Sequence, residues 1–282
     1  MKFFPDCYAC LIGQALSAMQ QAGVDQATQK RTMKKILPLL GNAEPHLTPA
    51  ALADRTNQVI REEVGQDDLY REMKVISHQH ALEMLSDLRE LVNQAEDPLL
   101  MALKVAAAGN VIDVVHGQEE YDLWEEVTAA VHQPLYGKSV EAFRNRLADS
   151  GSLLYLADNV GETVFDRILI ETLEVPVVYA VKSAPILNDA TKEDALKAGI
   201  DQVAAVISTG SRGPGTLLEQ CSEDFQDVFE NSGVVLAKGQ ANYETLDDQG
   251  PKMFFLLRIK CAVIGREIGY SMGNLVLKQG TP

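Results

Sequence analysis

Apolar positions recur every three or four residues along the first third of the chain, and come in short unbroken runs along the last half. From Met1 to about Gln94 the stretches CLIGQALSAM, RTMKKILPLL, TPAALADRTNQVIREEV and LYREMKVISHQHALEMLSDLRELV carry the period of helices buried on one side. No strand pattern interrupts them, and Gly23, Gly41, Pro45 and Pro49 fall between them as connecting residues do. Asp97 and Pro98 read as the N-cap and first position of a helix through LLMALKVAAAGNVIDVV, whose apolar face Asn110 and Asp113 interrupt.

Beyond about Ser150 the runs SLLYLA, VPVVYAV, QVAAVIS, GVVLA and KMFFLLRI predict strands buried on both faces. The amphipathic stretches TVFDRILIETL, KEDALKAGI and TLLEQCSEDFQDVFENS predict helices between them, with a short one around NYETL. A final GREIGYSMGNLVLK predicts an edge strand or hairpin. This alternation is that of a mostly parallel sheet covered by helices, an α/β fold preceded by an all-helical region. We place the division near residue 97, giving an N-terminal helical domain over 1–97 and an α/β domain over 98–282.

Composition narrows the function classes. At 46% hydrophobic and 23% charged residues the chain is an ordinary globular one, and its net charge of -15 opposes approach to nucleic acid or an anionic membrane. MKFFPDCYAC has neither the apolar stretch nor the cleavage site of a signal peptide, and no apolar run is long enough to span a bilayer, so we expect a cytoplasmic protein. Of four cysteines only Cys7 and Cys10 form a C-x-x-C, and no second pair completes a zinc site.

In a parallel sheet, ligands bind beyond the carboxyl ends of the strands. Those ends read Asp158 and Asn159; Lys182 and Ser183, with Asn188 and Asp189 closing the loop; Ser208 to Ser211; Lys238, Gly239 and Gln240, with Asn242 beyond; and Arg258, Lys260 and Cys261. Two carboxylates and a carboxamide are hard ligands suited to magnesium or manganese, and lysines beside glycine-flanked amides suit a phosphate. Metal with phosphate implies phosphoryl transfer or hydrolysis. Each group also has a plainer reading: Asp158 and Asn159 as caps of TVFDRILIETL, Asp189 or Thr191 as caps of KEDALKAGI, the lysines as solvated strand ends. Glu162 and Asp166 lie near one helical face, where first-turn acids also favour the helix dipole, and only Glu162 is near enough to join the site. His46, His78, His80, His116 and His132 have no ligand partner in the pattern and read as structural or surface residues.

Taken together, DNVGE (158–162), KSAPILND (182–189), KGQANYE (238–244) and RIKC (258–261) resemble the metal-dependent damage-control phosphatases, a family first catalogued as domain of unknown function eighty-nine. GNVID (109–113) and CYAC (7–10) fit its cysteine-containing microbial branch. The resemblance implies a helical region packed on a three-layer α/β/α domain that hydrolyses small phosphate esters, such as sugar phosphates or damaged nucleotide and cofactor phosphates. It implies manganese, cobalt or nickel, with magnesium weaker. By the same resemblance Asp158, Asn159 and Asp189 match the metal ligands, Lys260 a phosphate-binding lysine, Gly239 to Asn242 a loop that touches substrate, and Glu162 an acid that faces it. Asn110 and Lys238 match recurring positions, and their chemistry, like that of Lys182, Ser183 and Asn188, suits substrate or phosphate contact. Ala241 departs from the glycine of other branches and asks more room of that loop. Cys7, Cys10 and Cys261 are left open as packed thiols, a redox group or an accessory metal position.

The rival reading is an S-adenosylmethionine-dependent methyltransferase or a nucleotide-binding protein, since a doubly wound sheet hosts many chemistries. It requires a glycine-rich first turn, whereas DNVGE puts negative charge there, and STGSRGPG is a lone match. The chain has no D-x-D of phosphatases that form an aspartyl phosphate. Substrate, oligomeric state and the choice between aspartyl and water attack are not legible in the residues.

Overall fold

The computed structural model describes residues 1–44, 46–114 and 123–281. Pro45, His116 and the side chain of Asp113 lie outside the described residues.

The chain opens with α1 (Pro5–Gln21), α2 (Gln26–Gly41) and α3 (Pro49–Val64). Asp25 caps α2 by accepting from the Ala27 and Thr28 amides, and Thr48 caps α3 by accepting from Ala51. The apolar stripes of these helices meet in a small core that includes Leu11, Met19, Ile36, Leu40, Leu52 and Ile60. Next come α4 (Arg71–Asn93) and α5 (Pro98–Ala108). Asp97 accepts from the Leu100 amide, as the Asp-Pro start of α5 predicts. Met84 and Leu88 of α4 and Leu103 and Val105 of α5 belong to the sheet's core, not to that of the first three helices. Past Ala108 the chain tightens into a 3-10 segment, Gly109–Val114, so the helix read through GNVID stops short of it.

There follow α6 (Leu123–His132), β1 (Leu135–Tyr136), α7 (Val140–Ser150), β2 (Leu153–Leu156), α8 (Glu162–Thr172), β3 (Val177–Val181), α9 (Lys192–Lys197) and β4 (Ala205–Ser208). The chain continues with α10 (Glu223–Asn231), β5 (Val235–Lys238), α11 (Gly239–Leu246), β6 (Met253–Arg258), α12 (Ala262–Ile268) and β7 (Leu275–Gln279). The strands lie in the order β1-β7-β6-β5-β2-β3-β4. Every neighbouring pair is parallel except β6 with β7.

Successive strand residues feed two separate cores, as a pleat requires. Leu153, Tyr155, Leu236 and Phe254 face the layer of α4, α5 and α8; Leu154, Leu156, Val235 and Phe255 face the layer of α10 and α11. The result is the three-layer α/β/α fold with a mostly parallel sheet, led by helices. Its innermost strands are near-continuous apolar runs because both faces are covered, with Lys238 and Arg258 only at their carboxyl ends.

Further elements differ from the sequence pattern. The run after GREIGY forms β7, but it lies inside the sheet, with β1 beyond it as the edge. A two-residue strand such as β1 is too short to show a period. The helix predicted over TLLEQCSEDFQDVFENS begins only at Glu223, because the Ser222 hydroxyl takes the Phe225 amide as a cap, and a 3-10 turn (Leu218–Gln220) precedes it. Among the described residues no helix is long and apolar enough to cross a membrane.

Candidate active site

The strand order reverses at β2: the chain runs outward to β3 and β4, then returns to place β5 on the other side of β2. Such a reversal opens a crevice at the carboxyl ends of the two strands. Asp158 leaves β2 there and Gly239 follows β5. Residue 239 has φ +76, and a Cβ on it would stand 1.8 Å from Asp158 Oδ2. Only glycine lets α11 start against that carboxylate.

Backbone bonds lace the β2 and β3 loops together. The Ala190 amide donates to the Asp158 carbonyl at 2.8 Å and the Val160 amide to the Asn188 carbonyl at 2.9 Å. Between these bonds Asn159 and Asp189 form an isolated antiparallel bridge. Leu187, at φ +47, takes a conformation that side-chain-bearing residues seldom adopt just before Asn188 and Asp189. Helix capping does not account for these groups. No side chain caps α8, whose N-cap is Gly161, and at α9 Asp194 accepts from the Thr191 amide at 3.0 Å and hydroxyl at 2.6 Å.

Beneath Asp158 and Asn159 lies a buried polar network. The Asn159 Nδ2 donates to Asp158 Oδ2 at 3.1 Å and to Glu162 Oε1 at 2.8 Å, which leaves its Oδ1 as the atom available to a ligand. Asn110 Nδ2 also donates to Glu162 Oε1. Lys238 Nζ donates to Glu162 Oε2 at 2.7 Å and Asp166 Oδ1 at 2.6 Å. Asp166 further accepts from the hydroxyls of Tyr155 and Tyr179, at 2.6 and 2.7 Å. Burial works to raise the Glu162 carboxyl, but Lys238 and Lys260 outweigh it and hold the group below its usual range. At Asp166 burial wins despite Lys238, and the carboxyl is raised.

Above the network is a cavity of about 290 Å³, lined on the sheet side by Asn110, Asp158, Asn159, Asn188, Asp189 and Lys260. Its other wall comes from α1 and α3, including Leu11, Ala50 and Ala53, with Cys7, Cys10 and Cys261 around it. Two segments far apart in sequence, α1 and the loop after β6, thus bring three thiols to one cavity, and all the cysteines are free.

Six other residues predicted for the site do not line the cavity. Lys238 and Glu162 are consumed by the ion pair described above. Lys182 Nζ donates to the Gly215 carbonyl and stands 3.6 Å from Asp189 Oδ2. Ser183 is exposed, and its amide donates to the Ser211 carbonyl at 3.0 Å. Gly239 makes room for Asp158. The Asn242 carboxamide donates to the Ala157 and Lys238 carbonyls, at 3.2 and 2.8 Å, and accepts from Thr216 at 2.7 Å, so it ties α11 to the ends of β2 and β5. Gln240, on the wall, accepts from the Lys260 amide at 2.7 Å and fixes the lysine's loop. Two glycines of the STGSRGPG loop are spent on packing: a Cβ on Gly215 would approach the Ala241 carbonyl to 2.3 Å, and one on Gly210 the Ser222 amide nitrogen to 2.6 Å. Glu244, to which the sequence pattern gave no role, also lines the cavity.

The donor set suits a hard divalent cation. Asp189 Oδ2 and Asn110 Oδ1 are buried without a hydrogen-bond partner. Burial, then the nearby Glu162 and Asp189 carboxylates, push the Asp158 carboxyl well above its usual range; burial, eased by Lys182, pushes that of Asp189 up to about 6. Among the described residues no three His, Cys, Asp or Glu side chains are placed to hold a metal. A cation here would therefore rest on two carboxylates and the Asn159 carboxamide, the sparse protein contribution that leaves coordination positions for water and phosphate.

Fold and site together have the form of a phosphoester hydrolase. Comparison with known proteins makes this specific: the damage-control phosphatase ARMT1-like domain matches residues 3–276, and the chain belongs to that family. A damage-control phosphatase of Pyrococcus horikoshii is 33% identical over 282 residues, covering 98% of this chain and 97% of that protein. A damage-control phosphatase of Archaeoglobus fulgidus is 30% identical over 289 residues, covering 99% of both. The crystal structure of a DUF89 family protein from Pyrococcus horikoshii superimposes with a TM-score of 0.89 over 100% of both chains, at 33% identity. The phosphatase assignment rests on this membership, and with it the case for a methyltransferase or nucleotide-binding protein falls away.

Proposed function

We propose that the chain hydrolyses small phosphate monoesters with a divalent cation held by Asp158, Asn159 and Asp189. One observation carries this reading. Two buried carboxylates share a cavity, Asp189 Oδ2 has no hydrogen-bond partner, and the nearest cation to it, Lys182 Nζ, is 3.6 Å away. Such a site favours a cation and, through it, an anionic ester.

When bound, the cation would polarise a phosphoryl oxygen and offset the charge that develops there. The chain's own groups do the remaining work. Lys260, exposed at the cavity wall, offers a point charge to the phosphate, and Gln240 holds its loop in place. Glu162 and Lys238 do not reach the substrate; they fix the Asn159 and Asn110 carboxamides in one orientation. Helices α1 and α3 shield the cavity from bulk water. Oxygen donors alone suit manganese or magnesium, and the resemblance adds cobalt and nickel. A cavity of about 290 Å³ lies at the small end for ligand sites, which fits a sugar phosphate or a damaged phosphometabolite.

The test is manganese-dependent hydrolysis of p-nitrophenyl phosphate by Asp158→Asn and Asp189→Asn. We expect each to lose at least about a hundredfold in kcat/KM, in the range that removal of one electrostatic stabiliser produces. Circular dichroism should be unchanged. Retained activity in both variants defeats the assignment. Lys260→Ala should raise KM, lower kcat, or both.

A further inference from the structure

We infer that Glu244 selects the organic half of the substrate, admitting phosphate monoesters that end in a hydroxyl or an ammonium and rejecting those that end in a second anion. The inference rests on the phosphatase reading and adds a specificity residue to it.

Glu244 lines the same cavity as Asp158, Asp189 and Lys260. It stands towards another end: α11 starts at Gly239 against Asp158, and Glu244 lies more than a turn further along that helix, where it meets the Ala50 amide in the first turn of α3 and the N-terminal ammonium. A phosphate held near Lys260 and the two aspartates therefore directs its alcohol portion towards Glu244.

That end of the cavity offers no cation to a ligand. The N-terminal ammonium is already bound by the Glu244 backbone carbonyl at 2.6 Å and by Asp247 Oδ1 at 2.7 Å. Cys7, buried, and Cys10, whose residue is partly open to solvent, lie near Glu244 on α1; desolvation and the Glu244 charge raise both thiols, so they stand there neutral. Asp6, at the rim, is 3.4 Å from Arg266, and both are exposed. What remains for a ligand is one carboxylate flanked by neutral thiols, the neutral Gln14 carboxamide and the apolar Leu11 and Ala53. A hydroxyl or ammonium finds an acceptor there; a carboxylate or second phosphate meets like charge with no cation to offset it.

The experiment compares substrate pairs that differ only at the far end: glycerol 3-phosphate with 3-phosphoglycerate, and O-phosphoethanolamine with phosphoglycolate, each with manganese. In the wild-type protein at pH 8 we expect kcat/KM to favour the first of each pair by about tenfold or more, a discrimination that one charged contact supplies. Burial pushes Glu244 up to about 7, so the ratio should shrink towards pH 6 as the carboxylate takes up its proton. Glu244→Gln should bring both ratios close to one and remove their pH dependence. Ratios are taken within one preparation and do not depend on the fraction of active protein. Equal turnover within each pair by the wild type, or ratios unchanged in Glu244→Gln, overturns the inference while leaving the phosphatase reading intact. If the variant does not fold, a wild-type ratio constant between pH 6 and pH 8 overturns it equally. Failure of the wild type to hydrolyse any of the four esters overturns both.

Discussion

Adding one methyl group at Gly239 should separate activity from stability. The new Cβ would lie 1.8 Å from Asp158 Oδ2 and 2.4 Å from its Cγ, where ordinary contact begins near 3.4 Å, so the carboxylate must retreat by about 1.6 Å. It cannot do so freely. Asp158 is buried, Asn159 Nδ2 stands 3.1 Å from its carboxylate, and its carbonyl is tied to the Ala190 amide. A displacement of about 1 Å at a reacting centre costs on the order of a hundredfold in rate. The backbone adds about 1–2 kcal/mol of strain for a side chain at positive φ. That strain lowers Tm by roughly 2–8 °C at this chain length. Gly151→Ala is the control, because residue 151 has φ +66 with nothing within 4 Å of the added methyl. By calorimetry Gly239→Ala should lose at least as much thermal stability as Gly151→Ala, since overpacking adds to the backbone strain, and only Gly239→Ala should lose manganese-dependent p-nitrophenyl phosphate hydrolysis. Activity within threefold of wild type in Gly239→Ala, or equal losses in both, would refute the crowding argument.

Lys238→Met leaves Glu162 and Asp166 buried without their shared cation, which should cost about 3–5 kcal/mol and lower Tm by roughly 6–20 °C. Adding Asp166→Asn to that variant should recover part of the loss, and a Tm unchanged by Lys238→Met would mean that the network is not ionic. Glu244, raised by burial to about 7 from an ordinary 4.5, contributes stability that is complete below pH 4.5 and is lost as pH rises through 7. Urea titrations should therefore show wild-type protein losing about 1–3 kcal/mol more than Glu244→Gln between pH 5 and pH 8, and parallel curves would rule this out. Manganese at a hundred times its Kd should stabilise the wild type by about 2.7 kcal/mol and should not stabilise Asp189→Asn; equal shifts in both would place the cation elsewhere.

The strands were legible because strands covered on both faces are near-continuous apolar runs, as LLYL and MFFLLR show. The helices α6 and α7 and the two-residue β1 were not, since short segments at the sheet's margin leave no sustained period. Asp158, Asn159 and Asp189 stood out as candidates because polar groups ending a buried strand, or closing the loop after one, are conspicuous, and all three line one cavity. What the pattern could not separate was which lysine faces the cavity. Lys182, Lys238 and Lys260 all follow strands, but the first two point into buried carbonyls and carboxylates, and only tertiary packing distinguishes them from the exposed third. Glu244 escaped notice for the opposite reason. It sits a turn and more into α11, where a glutamate is unremarkable, and gains its place on the cavity wall from helices almost two hundred residues earlier.

The small core shared by α1, α2 and α3 is distinct from the cores on either face of the sheet, yet its outer surface completes the cavity. Exchanges along the inner side of the first and third helices would reshape the cavity while the carboxylates at the strand tips keep their geometry.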